Sequence, residues 1–242
     1  VDCPGFLEWE SIPHAVLQPG IQIDNRANHL DAQADSYNLL LRDWVHIESV
    51  VLYAPVAKIG KFPYDGTVIT ASLLAMQNTY RGKITIASDD AIDHPLINPN
   101  FNTTETDHVV IRHGIRRILR LMQETSGGKD MVTSLIPEGT QAPLTTSSTD
   151  EDIDEHVKSS GHSWNHRAGT AAMEITVNKG EVDSKSRVHG VAGIRVVDAS
   201  VLPVPIAAHY MVCVYALGWK IADLIADSCN EPQCCDVVFD SL

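Results

Sequence analysis

"GIRVVDASVLPVPIAAHYMVCVYALGWKIADLIAD", residues 193–227, reads in three parts. Ile194 to Val197 is a short β-branched run stopping at Asp198, which predicts a strand. Pro203 and Pro205 keep the next stretch out of a helix, because proline lacks an N–H and clashes with the preceding turn. From His209 to Asp227 the apolar residues Val212, Tyr215, Ala216, Trp219, Ile221, Ala222 and Ile225 recur at helical spacing. Strand ends that feed a turn and a helix are where α/β architectures bring polar groups to ligands. His209 is thereby expected in the first turn of a helix. There, free N–H groups and the positive dipole end favour a neutral imidazole, the form a general base requires.

Upstream, "SWNHRAGTAAM" (163–173) carries a second histidine, His166, just before a Gly-Thr turn where backbone can approach a ligand closely. It lies 43 positions before His209. Spacing alone leaves two readings open: two unrelated histidines among eleven, or two halves of one proton-handling site. "GHSWN" (161–165) half matches a nucleophile elbow, but its last glycine is missing and no strand precedes it, so Ser163 reads as a turn serine.

Further out, "HIESVVLYAP" (46–55) and "GTVITASLLAM" (66–76) read as strands, and "RGKITIAS" (81–88) as a half-buried strand with Ile84 and Ile86 on one face. Residues 89–101 hold too many Asp, Asn and Pro for a regular element. "TDHVVIRHGIRRILRLMQET" (106–125) is the clearest amphipathic helix, expected to be capped by Thr106 or Asp107 and ended by Gly127-Gly128. Its Arg112, Arg116 and Arg117 read as solvated. So do the acidic residues Asp150, Glu151, Asp152, Asp154 and Glu155 of a short helix over 149–161. Residues 129–149 read as loop, and residues 1–35, broken by Pro4, Pro13 and Pro19, as an irregular covering segment.

The net charge of −13 argues against a nucleic-acid partner, which would need clustered cations. No apolar stretch reaches the length of a membrane span, since Lys220 and Asp223 interrupt the longest. Five cysteines without a C-x-x-C pair suggest no metal site, and Cys213 is expected in a helix core. No secretion signal opens the chain, and its compartment stays undefined.

Together these segments resemble the glucose-methanol-choline (GMC) flavoprotein oxidoreductases, particularly their aryl-alcohol-oxidase-like branch. "SWNHRAGTAAM" is similar to that family's H-x-x-G-T-x-x-M segment, and residues 182–225 to its closing motif. The resemblance implies an α+β fold, a mostly antiparallel sheet with helices packed on it. A terminal strand and helix would belong to the edge of a flavin domain. Its expected divisions are a covering segment (1–35), a substrate-binding domain (36–188), the closing strand-turn-helix (189–227) and a tail (228–242).

The resemblance further implies that His166 takes the hydroxyl proton of an alcohol while His209 hydrogen-bonds the substrate oxygen. Asp198, Ala199 and Tyr210 would contact FAD, and Trp164 and Asn165 would line a pocket for a small, largely apolar substrate. Arg167 directly after His166 departs from the family pattern and alters the local charge. A G-x-G-x-x-G turn for the ADP part of FAD is absent among the fifteen glycines. That leaves two expectations. In one, the chain is the C-terminal catalytic half of an FAD-dependent alcohol oxidoreductase, as a fragment, a processed product or one subunit whose partner chain carries the flavin-binding domain. In the other, it is a homologue without FAD, running cofactor-free acid–base chemistry as a lyase, isomerase or cyclase. Either way, an apolar face near Ile194–Val197 and the final helix is expected to need covering by a partner chain, by a homo-oligomer or by residues 1–35.

Overall fold

Val50 and Val51 face opposite sides of their strand, yet both are buried, which marks a strand covered on both faces. That strand, β2 (Ile47–Leu52), is the centre of a three-stranded antiparallel sheet between β1 (Gly5–Glu10) and β3 (Thr70–Ala75). The pairing is in continuous register, Gly5 opposite Leu52 and Leu52 opposite Thr70. The computed structural model describes residues 5–28, 44–55, 65–135, 142–173 and 180–229. The chain divides into two units, one ending at Trp164 and the other beginning at Asn165.

In the first unit, α1 (His14–Asn28) and α2 (Glu105–Glu124) pack with the sheet around Ile12, Leu17, Ile21, Ile47 and Val110. Full burial of each such side chain contributes about 1.5–3 kcal/mol. Gly114 sits mid-helix because a Cβ there would meet Leu73 Cδ1 at 2.5 Å, so the glycine lets α2 lie close on β3. The ends of α2 are fixed by side chains. Thr104 is the N-cap, and the Asp24 carboxylate from α1 accepts from the Glu105 and Thr106 N–H groups at 2.8 Å each. Asp107 turns inward instead, accepting from the Thr79 and Tyr80 N–H groups and from the Thr104 hydroxyl. Burial pushes its carboxyl pKa up against the downward pull of those donors.

Several expectations need correction. Residues 5–28 form β1 and α1 rather than an irregular cover; α1 tolerates Pro19 inside it because tertiary burial of Leu17 and Ile21 outweighs one lost backbone bond. The remainder of that segment, 1–4 and 29–35, lies outside the described residues. Ile84 and Ile86 are not half-buried: β4 (Lys83–Thr85) pairs with β5 (Leu96–Asn98) as an isolated hairpin, leaving Ile84 49% and Ile86 85% exposed. β5 itself falls inside the stretch expected to lack structure. Thr106 and Asp107 lie in the first turn of α2, two and three residues past its actual cap, Thr104. Gly127 and Gly128 belong to a one-turn helix, α3 (Ser126–Met131), capped by Thr125.

Arg112, Arg116 and Arg117 are not simply solvated. Arg112 bonds Asp154 and Glu105 and lies near Asp150, joining α2 to α4 (Asp150–Ser160). Arg116 bonds Asp150, and Arg117 bonds Glu8 and Glu10 of β1. The acidic run is thus partly the counter-charge of α2, and the Arg112 guanidinium holds the Asp154 carboxyl below its ordinary pKa. The start of α4 is a capping box, with Thr149 and Asp152 satisfying each other's backbone N–H groups.

The second unit has little regular structure before α5 (Met211–Cys229). Ile194–Val197 is not a strand; only Arg195 makes a bridge, to Arg187, because a β-branched run becomes a strand only beside a paired neighbour. Asp183 organises this stretch by accepting from the Lys185 and Arg187 N–H groups and from Arg187 Nε. Burial would raise its pKa, but Arg187 and these N–H groups prevail and lower it to about 2. Cys213 on α5 is exposed rather than in a helix core.

Candidate active site

His166 and His209 meet. The Nε2 of His166 lies 2.8 Å from Nδ1 of His209, with ring centroids 4.8 Å apart and planes at 63°. Backbone pairing brings them there. The strand-like segment after His166 donates from Ala171 to the Ser200 carbonyl and from Met173 to the Val201 carbonyl, both at 2.9 Å. Residues 199–201 form a one-turn 3-10 helix whose N-cap is Asp198, and the proline-stiffened chain beyond it returns His209 to the start of α5. Gly169, at φ +85°, allows the crossover; a Cβ there would stand 3.3 Å from the Leu202 carbonyl oxygen. Asn165, at φ +62°, turns the chain just before His166.

The N···N distance needs one proton between the two rings: two bare nitrogens repel, and two N–H groups collide. One imidazole therefore donates and the other accepts, the complement of roles that a proton transfer uses. The helix begins at Met211, so His209 stands two residues ahead of it rather than inside its first turn. Tyr210 packs its ring on His166 at 5.3 Å and 78°.

The other expected site residues make contacts of their own. Asn165 accepts from Arg167 through its side-chain oxygen at 3.3 Å. Trp164 ends the first unit and packs against Val50, Leu74 and Met76, a core contact. Asp198 is exposed; the Ser200 hydroxyl and the Ser200 N–H, the latter at 2.8 Å, both donate to it and hold its pKa below the usual carboxylate value. Ala199 begins the 3-10 turn. Among the described residues no three His, Cys, Asp or Glu side chains are placed to share a metal ion, and no helix is long and apolar enough to cross a membrane. Sequence reading missed the Tyr210 ring contact and the pairing of 171–173 with 200–201. The adjacency of His209 and Tyr210 was the available signal for the first.

With that geometry in place, comparison with known proteins is decisive. The C-terminal family model of the GMC oxidoreductases matches residues 78–218. The chain belongs to the GMC oxidoreductases. The GMC-type oxidoreductase acuG of Aspergillus aculeatus is 39% identical over 225 residues, covering 90% of this chain and 41% of acuG. A variant of Aspergillus oryzae RIB40 formate oxidase, a protein in which FAD is modified, superposes with a TM-score of 0.73 at 27% identity, over 92% of this chain and 38% of that one. A fungal aryl-alcohol oxidase shares the fold, with a TM-score of 0.66 at 22% identity, over 92% of this chain and 38% of that one. The chain thus spans about two fifths of the length of acuG. The expected mixture of helices and antiparallel sheet holds for this GMC chain.

The chemistry of the donors near the histidine pair suits part of FAD. The first N–H groups of α5 follow directly behind the histidine pair, and a helix N-terminus suits an electron-rich ring edge. The ionised Asp198 carboxylate suits ribityl hydroxyls, which donate hydrogen bonds, and disfavours the diphosphate, which is anionic itself.

Proposed function

We propose that this chain supplies the proton-handling half of a GMC oxidoreductase that oxidises the CH–OH group of a small alcohol. The observation that supports it most is the 2.8 Å contact between His166 and His209. An alcohol oxygen that interposes between these nitrogens meets an acceptor on one side and a donor on the other. His166 Nε2 takes the hydroxyl proton, and the His209 ring keeps a hydrogen bond to the oxygen as its carbon–oxygen bond gains double-bond character. FAD, when bound, supplies the acceptor for the hydride. Asp198, the Ala199 turn and the backbone at Tyr210 would hold the ribityl and ring end. Asn165, next to His166, would border the substrate.

The ADP end of FAD would be held by protein other than residues 1–242, in line with the greater length of acuG. That protein packs on the apolar side of α5, where Tyr215 and Trp219 are each 77% exposed. The test is turnover of small alcohols by the FAD-loaded protein and its His166→Ala and His209→Ala variants. Each is expected to lose about 10²–10⁴-fold in kcat/KM while keeping bound FAD. Turnover without FAD, or variants as active as the parent, would refute the reading.

A further inference from the structure

Arg167 directly follows His166, and the roles given to the histidine pair leave it unused. We propose that Arg167 is a specificity-determining residue whose guanidinium binds a carboxylate on the alcohol being oxidised. This rests on the reading of His166 and His209 given above and narrows its substrate class to small alcohols that carry an acid group.

Three observations carry the inference. The guanidinium is placed beside the pair: Arg167 donates from Nη2 to the side-chain oxygen of Asn165 at 3.3 Å, a bond that spans His166 along the chain. All of these residues, with His209, belong to the second unit. The charge is also uncompensated. Arg112, Arg116, Arg117 and Arg187 each meet a carboxylate. Arg167 meets none among the described residues, its hydrogen bond going to a neutral amide, while Asp198 is engaged by Ser200. A guanidinium has five N–H donors in a planar fork, so a carboxylate can take two of them while Asn165 keeps its bond. Finally, the surroundings favour an anion. The two segments that bring the histidines together, 165–173 and 199–211, contain no Asp or Glu, in a chain whose net charge is −13.

The consequence is a two-point hold. The carboxylate rests on Arg167, and the hydroxyl at the other end of the molecule reaches the His166–His209 contact. The acid group takes no part in the oxidation, so its binding is the same in ground and transition states and acts mainly on KM. Arginine keeps its charge at every working pH, and the selectivity is lost only where the substrate carboxylate is protonated, below about pH 4. Arg167 is exposed, so added salt weakens the attraction.

The experiment uses the FAD-loaded protein and compares 3- and 4-(hydroxymethyl)benzoate with benzyl alcohol, which lacks only the acid group. Wild type is expected to prefer at least one of the two acids in kcat/KM, and Arg167→Ala to cut that ratio about ten- to a hundredfold, through KM. Arg167→Lys, which keeps the charge without the fork, is expected to fall between them. Calorimetric titration with benzoate gives a second readout without turnover: Arg167→Ala should weaken its binding by a similar factor. A wild type that prefers benzyl alcohol to both acids overturns the proposal. So does an Arg167→Ala variant that loses the same factor on all three alcohols, or benzoate binding that ignores Arg167, as it would if that residue met an acid of another protein. If benzoate binding depends on Arg167 while His166→Ala leaves alcohol oxidation intact, the anion site stands and the catalytic reading fails.

Discussion

Gly169 is a residue whose replacement should reach the site without touching either imidazole. An alanine there would hold a left-handed backbone and press on the Leu202 carbonyl, at a cost of about 1–2 kcal/mol. Gly169→Ala is expected to lower stability by that amount in urea unfolding and to weaken the His166–His209 hydrogen bond; unchanged stability would show that the crossover tolerates a side chain. Ser186 presents the reverse case. It is fully buried at φ +58°, and its hydroxyl has no hydrogen-bond partner among the described residues. Ser186→Gly removes both burdens and should stabilise the protein by about 0.5–1 kcal/mol, or fail to do so if the hydroxyl has a use.

At the scale of elements, the join between α2 and α4 is electrostatic. Arg112→Met should cost about 1.5–3 kcal/mol, since it takes the guanidinium from the Asp154 and Glu105 carboxylates and leaves Asp154 with His108. Arg112 holds the folded-state pKa of Asp154 below its unfolded value, with burial opposing. The stabilisation is therefore complete above the unfolded value of about 3.9 and is lost as pH falls through the folded one. Acid should narrow the stability gap between wild type and Arg112→Met; a constant gap from pH 6 to pH 2.5 would contradict this. This join was hard to see in the sequence, because "RHGIRR" and "DEDIDE" each look like a solvated helix face, and only their convergence makes them partners. The strands at 47–52 and 70–75 and the helices near 105–124, 150–160 and 211–229 were legible, since apolar residues recur at the period of the element whether or not this chain covers that face. Ile194–Val197 misled because a β-branched run becomes a strand only beside a paired neighbour, and Ile84–Ile86 because strand alternation does not itself supply a layer that covers the apolar face. The site was legible in part. Both histidines stood in motifs, but Trp164 carried the same motif weight and instead packs in the core of the first unit.

For the whole molecule, the apolar side of α5 is the largest consequence of what this chain carries. Met211, Val212, Tyr215 and Trp219 are all exposed, more apolar surface than a solitary helix face usually leaves to water. The chain studied alone is expected to bind hydrophobic dyes and to self-associate, and Tyr215→Lys with Trp219→Lys should reduce both; a monodisperse, dye-silent chain would argue that nothing needs to dock there. The same double variant should weaken the proposed docking of a flavin-binding partner on this face. The claim on which the account rests is nevertheless smaller than any interface: one proton is passed at the His166–His209 contact. The most direct measurement is kcat/KM for a small alcohol in the FAD-loaded protein with His166→Ala. The account predicts a loss of about 10²–10⁴-fold with flavin still bound; full activity in that variant would contradict it.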